Sequence, residues 1–309
     1  MVKKVAFWGS SKDSLPALES IFKKFEISLV ITSPDKPKGR GKKVLPSVVK
    51  ERALELGIKD VLTPEKLTTD FKEIYFSKEI DVAVVVSYGK IIPESILDFP
   101  KYKTLNIHFS LLPKWRGASP VERAILTGDK EIGVSIIRLV KKLDAGPIYS
   151  KISVPLDKSK FAYELRDELA NLGAKEIVRI LKNIGKIKPQ KQDEKEVSYA
   201  PKITKEEGAF KWNFPALKIY RMIKAFTPWP SVYTFYKGKR LILTDVEISE
   251  EREGKIGQIF KITKEGIGVI CGQNTSIILK EVKPEGKKNM SAYDFSNGAR
   301  LKIGDFLSE

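Results

Sequence analysis

The chain has 309 residues with 56 Lys and Arg against 39 Asp and Glu, a net charge of +17, one cysteine and one histidine. A lone Cys271 excludes an internal disulfide, and with a single imidazole no Cys/His metal set can be assembled, so no metal is expected. No apolar run approaches the roughly 18 to 20 residues of a membrane helix, and MVKKVAFWGS has no small-residue cleavage site, which reads as a mature cytoplasmic protein that does not engage a membrane. The positive excess favours a polyanionic partner such as nucleic acid, with the charged surface of a heat-adapted protein as the alternative.

Val2–Trp8 reads as a strand closed by Gly9-Ser10-Ser11, with a helix opening near Asp13 or Ser14. Ile27–Thr32 is the next strand, Ser47–Leu56 a helix, Asp81–Ser87 a buried strand, then Leu105–His108 and Gly133–Leu139 as further strands. Strands alternating with helices predict βαβ units and a Rossmann-like parallel sheet. An amphipathic helix over Phe161–Ile184, carrying Leu165, Leu169, Leu172, Ile177, Ile180 and Leu181, closes a first domain at residues 1–184. Residues 185–204, GKIKPQKQDEKEVSYAPKIT, are polar and lack apolar periodicity, as a linker does. Residues 205–309 open with a helix over Trp212–Phe226. Short strands follow at Val232–Tyr236, Arg240–Val246, Gly257–Ile262, Gly266–Ile270 and Ser276–Val282, the pattern of a small antiparallel barrel.

The only histidine sits in LNIHFSLLPKWRGASP, residues 105–120. On a strand, Asn106 and His108 are two apart and share a face, with Ile107 on the other. An amide and an imidazole side by side can donate to an oxygen that gains negative charge, as acyl transfer requires. A third group could orient the ring, and Asp144 in LVKKLDAGP lies in a turn just after the strand that ends at Leu139. On those residues alone the bland alternative stands: a packed strand histidine beside an ordinary Asp-Ala-Gly-Pro turn. There is no G-x-S-x-G nucleophile motif, and Gly9-Ser10-Ser11 lacks the G-x-G-x-x-G of a dinucleotide site.

The ordered set Asn106-Ile107-His108, Ser110-Leu111-Leu112-Pro113, Trp115-Arg116-Gly117-Ala118-Ser119-Pro120 and Leu143-Asp144-Ala145-Gly146 resembles the folate-dependent formyltransferases. The likeness extends over nearly the whole chain through PDKPKGRGKK at 34–43, SYGKIIP at 87–93, AFTPWP at 225–230 and GKKNMSAYDFSNG at 286–298. It implies an α/β fold: a Rossmann-like formyltransferase domain followed by an OB-like β-barrel. It further implies transfer of the formyl group of 10-formyltetrahydrofolate, a co-substrate, to the amino group of methionine on initiator tRNA, by a monomer. In this resemblance Asn106 and His108 stabilise the oxyanion, and Asp144 orients His108 and relays the amine proton. Tyr88, Gly89, Lys90, Ile91 and Ile92 on one side, with Leu139 and Leu143 on the other, flank the pterin, while Ser110, Leu111, Leu112 and Pro113 border the bound folate.

The segment 34–50 is rich in Lys and Arg and should form a mobile basic loop. By the same resemblance it enters the acceptor end of tRNA through Lys36, Lys38, Arg40, Lys42 and Lys43, with Arg40 helping to select the initiator. The barrel would add Lys237, Lys239, Arg240, Lys287 and Lys288 against phosphates. Trp229, between Pro228 and Pro230, is expected to pack at the domain junction. The alternative acceptor is a sugar-nucleotide amine; a non-enzymatic RNA-binding module is disfavoured by the intact Asn106, His108 and Asp144.

Overall fold

The apolar runs Lys4–Gly9 (β1) and Val82–Val86 (β4) are buried along almost their whole length, as strands covered on both faces must be. They form the middle of a seven-stranded sheet. Its other members are Glu26–Ile31 (β2), Val61–Leu62 (β3), Thr104–His108 (β5), Glu131–Arg138 (β6) and Ile148–Pro155 (β7), in the order β7-β6-β5-β4-β1-β2-β3. The computed structural model describes residues 2–38 and 43–307. The chain divides into two units, Met1–Pro120 with Glu131–Pro155 and Arg166–Ala200, and Val121–Lys130 with Leu156–Leu165 and Pro201–Glu309.

From β3 to β5 every pairing in the first sheet is parallel. The strand expected at Gly133–Leu139 corrects that picture: β6 runs antiparallel to β5, and β7 runs antiparallel to β6. β6 is buried on both faces, the pattern usual for a parallel strand, so its apolar run did not reveal the antiparallel direction. Helices in this unit begin where polar side chains satisfy the first free N–H groups: Ser47 Oγ accepts from Lys50 N ahead of Val48–Glu55, and Thr68 Oγ1 accepts from Phe71 N ahead of Thr69–Phe76. The long helix Ala162–Asn183 buries Leu165, Leu169, Ile177, Ile180 and Leu181. Gly173 of that helix faces Ile107, which lies on the side of β5 opposite to Asn106 and His108.

The stretch expected as a linker is largely structured. Gln190 pairs with Ile148, and Tyr199–Ala200 pairs in parallel with Arg116–Gly117; the last passage of the chain from the first unit to the second falls at residue 200, inside 185–204, while Val121–Lys130 and Leu156–Leu165, expected in the first domain, group with the second unit. The basic segment at 34–50 contains a short antiparallel hairpin, Lys36–Lys38 with Lys43–Leu45, where a loop was expected. Its apex, including Arg40 and Lys42, lies outside the described residues.

In the second unit Val232–Tyr236 (β8), Lys239–Ser249 (β9), Ile259–Thr263 (β10), Gly266–Cys271 (β11) and Thr275–Pro284 (β12) form an OB-like antiparallel sheet in the order β8-β9-β12-β11-β10, and Met290–Ser291 adds to β12. The helix expected from Trp212 begins only at Ala216. Pro215 precedes it, and a proline disfavours helical backbone in the residue before it. Trp212 is instead buried, with Nε1–H donating to Thr234 Oγ1 at 3.1 Å. Trp229, in the turn between Pro228 and Pro230, is 56 % exposed.

Candidate active site

Strand β5 places Asn106 and His108 in its last three residues. His108 is 5 % exposed and Asp144 8 %, whereas Asn106 is half-buried. His108 Nε2–H donates to the Trp115 carbonyl oxygen at 2.9 Å; a carbonyl only accepts, so Nε2 carries a proton. Nδ1 faces Asp144, with Oδ2 3.8 Å away, within ion-pair range but beyond a direct hydrogen bond. The same Oδ2 accepts from Gly117 N at 2.9 Å. Among the described residues the Asn106 amide has no hydrogen-bond partner.

The route by which Asp144 reaches His108 differs from the expected one. Because β6 is antiparallel to β5, Arg138 lies opposite Leu105, and Leu139 N donates to Thr104 O at the start of β5. The turn therefore leaves β6 beside the first residue of β5 and must fold back to bring Asp144 to His108. One close approach and one backbone conformation allow this. Gly146 sits so close to the Arg138 carbonyl that an added Cβ would lie 1.7 Å from the oxygen, and Asp144 itself takes the left-handed conformation, φ 45°.

A second layer, which the motif reading did not assign, holds these loops. Arg116 is fully buried. Its Nη2 donates to Glu194 Oε1 at 2.8 Å, and Nε and Nη2 donate to Gln192 Oε1 at 3.1 and 2.8 Å. Lys142 Nζ donates to the other oxygen of Glu194 at 2.6 Å. Hydrogen bonds from Arg116, followed by that from Lys142, pull the Glu194 carboxyl down to a pKa of about 2. Ser135 on β6 accepts from Leu112 N at 3.0 Å and donates to Ser110 O at 2.7 Å, fixing the 110–113 loop. Nothing in the sequence marks Ser135 beyond its polar side chain in an otherwise apolar strand.

The residues expected around folate divide by exposure. Ile91 is 95 % exposed and Leu143 61 %, while Tyr88, Ile92 and Leu139 are partly buried against a core containing Trp8, Val85 and Tyr75. Leu112 has no exposed surface; with Ile137 and Ile148 it supports the loop from below, and Pro113 is buried with it. Lys90 Nζ donates to Pro64 O and Glu65 O at 2.6 Å each, so its ammonium braces a neighbouring loop. Gly89 is exposed, Leu111 is half-buried, and Ser110 is buried with its Oγ donating to Lys114 O. Two clefts of about 600 Å3, one near Lys59 and Lys78 and one near Phe214 and Arg221, are lined by none of Asn106, His108 and Asp144.

Of the basic residues, Lys36 is exposed at the start of the hairpin strand, and the side chains of Lys38 and Lys43 lie outside the described set. Lys237 and Gly238 make a two-residue turn with positive φ at both positions, joining β8 to β9 and projecting Lys237 and Lys239 outward. Arg240 is half-buried, its guanidinium stacked 3.7 Å from the Tyr233 ring centre. Lys287 and Lys288 are exposed in the turn after β12.

A sheet of this topology, with an amide, an imidazole and a carboxylate brought to one strand end and an OB-like domain behind it in the chain, is that of a formyl transferase, and the chain belongs to that family. Residues 10–181 match the formyl transferase family and residues 202–300 its C-terminal domain. Over about 98 % of its length the chain is 43 % identical to the methionyl-tRNA formyltransferase of Dictyoglomus thermophilum and 38 % identical to that of Bacillus subtilis, covering 99 % and 97 % of those proteins. Among solved structures, a sugar 3N-formyl transferase determined in the presence of dTDP and 5-N-formyl-THF shares the fold with a TM-score of 0.68 at 21 % identity, over 93 % of this chain and 100 % of that one. The methionyl-tRNA formyltransferase of Clostridium thermocellum gives 0.58 at 17 %, over 81 % of this chain and 94 % of that one.

Proposed function

We propose that the chain moves the formyl group of 10-formyltetrahydrofolate to the α-amino group of methionine on initiator tRNA. The observation that carries this reading is full-length identity at about 40 % to methionyl-tRNA formyltransferases, combined with an intact Asn106, His108 and Asp144 set.

The amine nitrogen attacks the formyl carbon, the C–O double bond becomes a C–O single bond bearing negative charge, and collapse expels the folate nitrogen. An α-amino group has a pKa near 7.7 to 8.0, lowered further by the adjacent ester, so the nucleophile needs positioning more than a strong base. Asn106, whose amide hydrogens are uncommitted among the described residues, donates to the oxyanion. His108 is held by Trp115 O at Nε2, which leaves Nδ1, oriented by Asp144, as the ring position available to the oxyanion. Asp144 takes the proton the amine loses and returns one to the leaving nitrogen. Ile91 and Leu143, apolar yet exposed, fit the faces of a flat pterin that would cover them. The basic hairpin and the lysines of the second unit hold the tRNA electrostatically.

The test is an acceptor panel: methionyl-initiator tRNA, methionyl-elongator tRNA and an amino-sugar nucleotide, each with 10-formyltetrahydrofolate. Fast transfer to the initiator alone agrees with the proposal; transfer to the sugar alone replaces the acceptor and keeps the site.

A further inference from the structure

Gln192 lies in the polar stretch that the sequence presents as a linker, yet its amide is saturated by partners from two catalytic loops. Oε1 accepts from Arg116 Nε and Nη2, at 3.1 and 2.8 Å. Both amide hydrogens go to the turn that carries Asp144: Nε2 donates to Asp144 O at 2.7 Å and to Gly146 O at 2.8 Å. The orientation of the amide is thereby fixed, since an oxygen at the Nε2 position would face two carbonyl oxygens. Arg116 in turn is locked by Glu194, which also takes Lys142 Nζ from the Asp144 turn. On the far side of Arg116, its own N–H donates to Ser198 O, and Gly117, whose N–H holds the Asp144 carboxylate, pairs with Ala200. Residues 192–200 thus touch both halves of the His108–Asp144 arrangement, the peptide that supplies Trp115 O and Gly117 N and the turn that supplies the carboxylate.

We propose that Gln192 is a positioning residue for Asp144, holding the 139–147 turn folded back onto His108. The turn needs such a hold because its strand leaves it at the start of β5, and no regular pairing returns it to the strand's end. The inference rests on the catalytic role proposed for Asp144.

Gln192→Glu separates positioning from mere packing. It keeps the oxygen that accepts from Arg116 and removes both donors to Asp144 O and Gly146 O. The full-length enzyme is assayed with methionyl-initiator tRNA and 10-formyltetrahydrofolate, alongside Asp144→Asn and the double variant. The expected result is a kcat at least about ten-fold lower with unchanged KM values, in a protein that still melts cooperatively but at a lower Tm because an oxygen now faces the Asp144 and Gly146 carbonyls; small displacements of a catalytic group lower rates by one to two decades. In the Asp144→Asn background the added loss should shrink to less than about two-fold, because the two residues act through one group. Gln192→Met, which deletes the donors without adding charge, serves if the glutamate variant does not fold. Wild-type kcat in the Gln192 variants beside an impaired Asp144→Asn overturns this inference alone, as does a fully multiplicative double variant. Wild-type kcat in Asp144→Asn overturns the reading of Asp144 on which it rests.

Discussion

Gly117 N donates to Asp144 Oδ2 at 2.9 Å, and that same oxygen lies 3.8 Å from His108 Nδ1. A backbone donor thus holds the carboxylate that faces the imidazole, and the loop reading WRGASP supplies it to the proposed site. Asp144→Ala removes the acceptor of Gly117 and the charge beside His108 together. The expected outcome is a fall in kcat of about 10² to 10³, the range found when one group that stabilises the transition state is lost. Steady-state kinetics checks this, with the Kd for tRNA expected to hold.

Gly117→Ala should damage stability and rate at once. The position has φ 128°, and an added Cβ would lie 2.5 Å from the Ala200 carbonyl oxygen. A residue forced into that backbone region costs about 1–3 kcal/mol before any clash is counted. A thermal melt should show a lower Tm than wild type, and kcat should fall because the donor to Asp144 moves.

Glu194 should contribute to acid sensitivity, alongside other carboxylates held low by partners such as Glu176 and Glu207. Its folded pKa of about 2 lies below the unfolded value of a glutamate, near 4.3, so the folded state favours the ionised form. The stabilisation is fully present above the unfolded pKa and is lost as pH falls through the folded value, over a window from about pH 4.3 to 2. Glu194→Gln should flatten the stability-against-pH curve in that window while leaving the curve above pH 6 parallel to wild type. Urea melts at stepped pH values measure this; identical acid limbs in the two proteins would remove the assignment.

The exposed lysines at the β8–β9 turn and after β12 predict a steep salt dependence of tRNA binding. Each phosphate contact contributes about 0.7 to 0.9 to the slope of log affinity against log salt. Lys287→Ala with Lys288→Ala should reduce that slope by the contribution of the contacts removed. A slope unchanged by the double substitution would take these two residues off the tRNA.

Much of this was legible in the chain. β1 and β4 announced themselves as apolar runs, and Asn106 with His108 followed from a two-residue spacing on a strand. The direction of β6 was not legible, and with it went the path of Asp144 to His108. β7 was missed because as an edge strand it is half exposed, and its apolar alternation at Ile148, Ile152 and Val154 is broken by Ser150, where the register also shifts. Gln192 and Glu194 were hidden for a different reason: polar residues among lysines and a proline look solvated, and only the fold shows the buried Arg116 they serve.

The measurement that tests the account most directly is the single-turnover rate of formyl transfer to methionyl-initiator tRNA for wild type, Asn106→Ala and His108→Ala, with tRNA affinity read on the same samples. The account predicts that each substitution slows the chemical step by about 10² to 10³ while tRNA affinity stays at the wild-type value. A wild-type rate in either variant would contradict it.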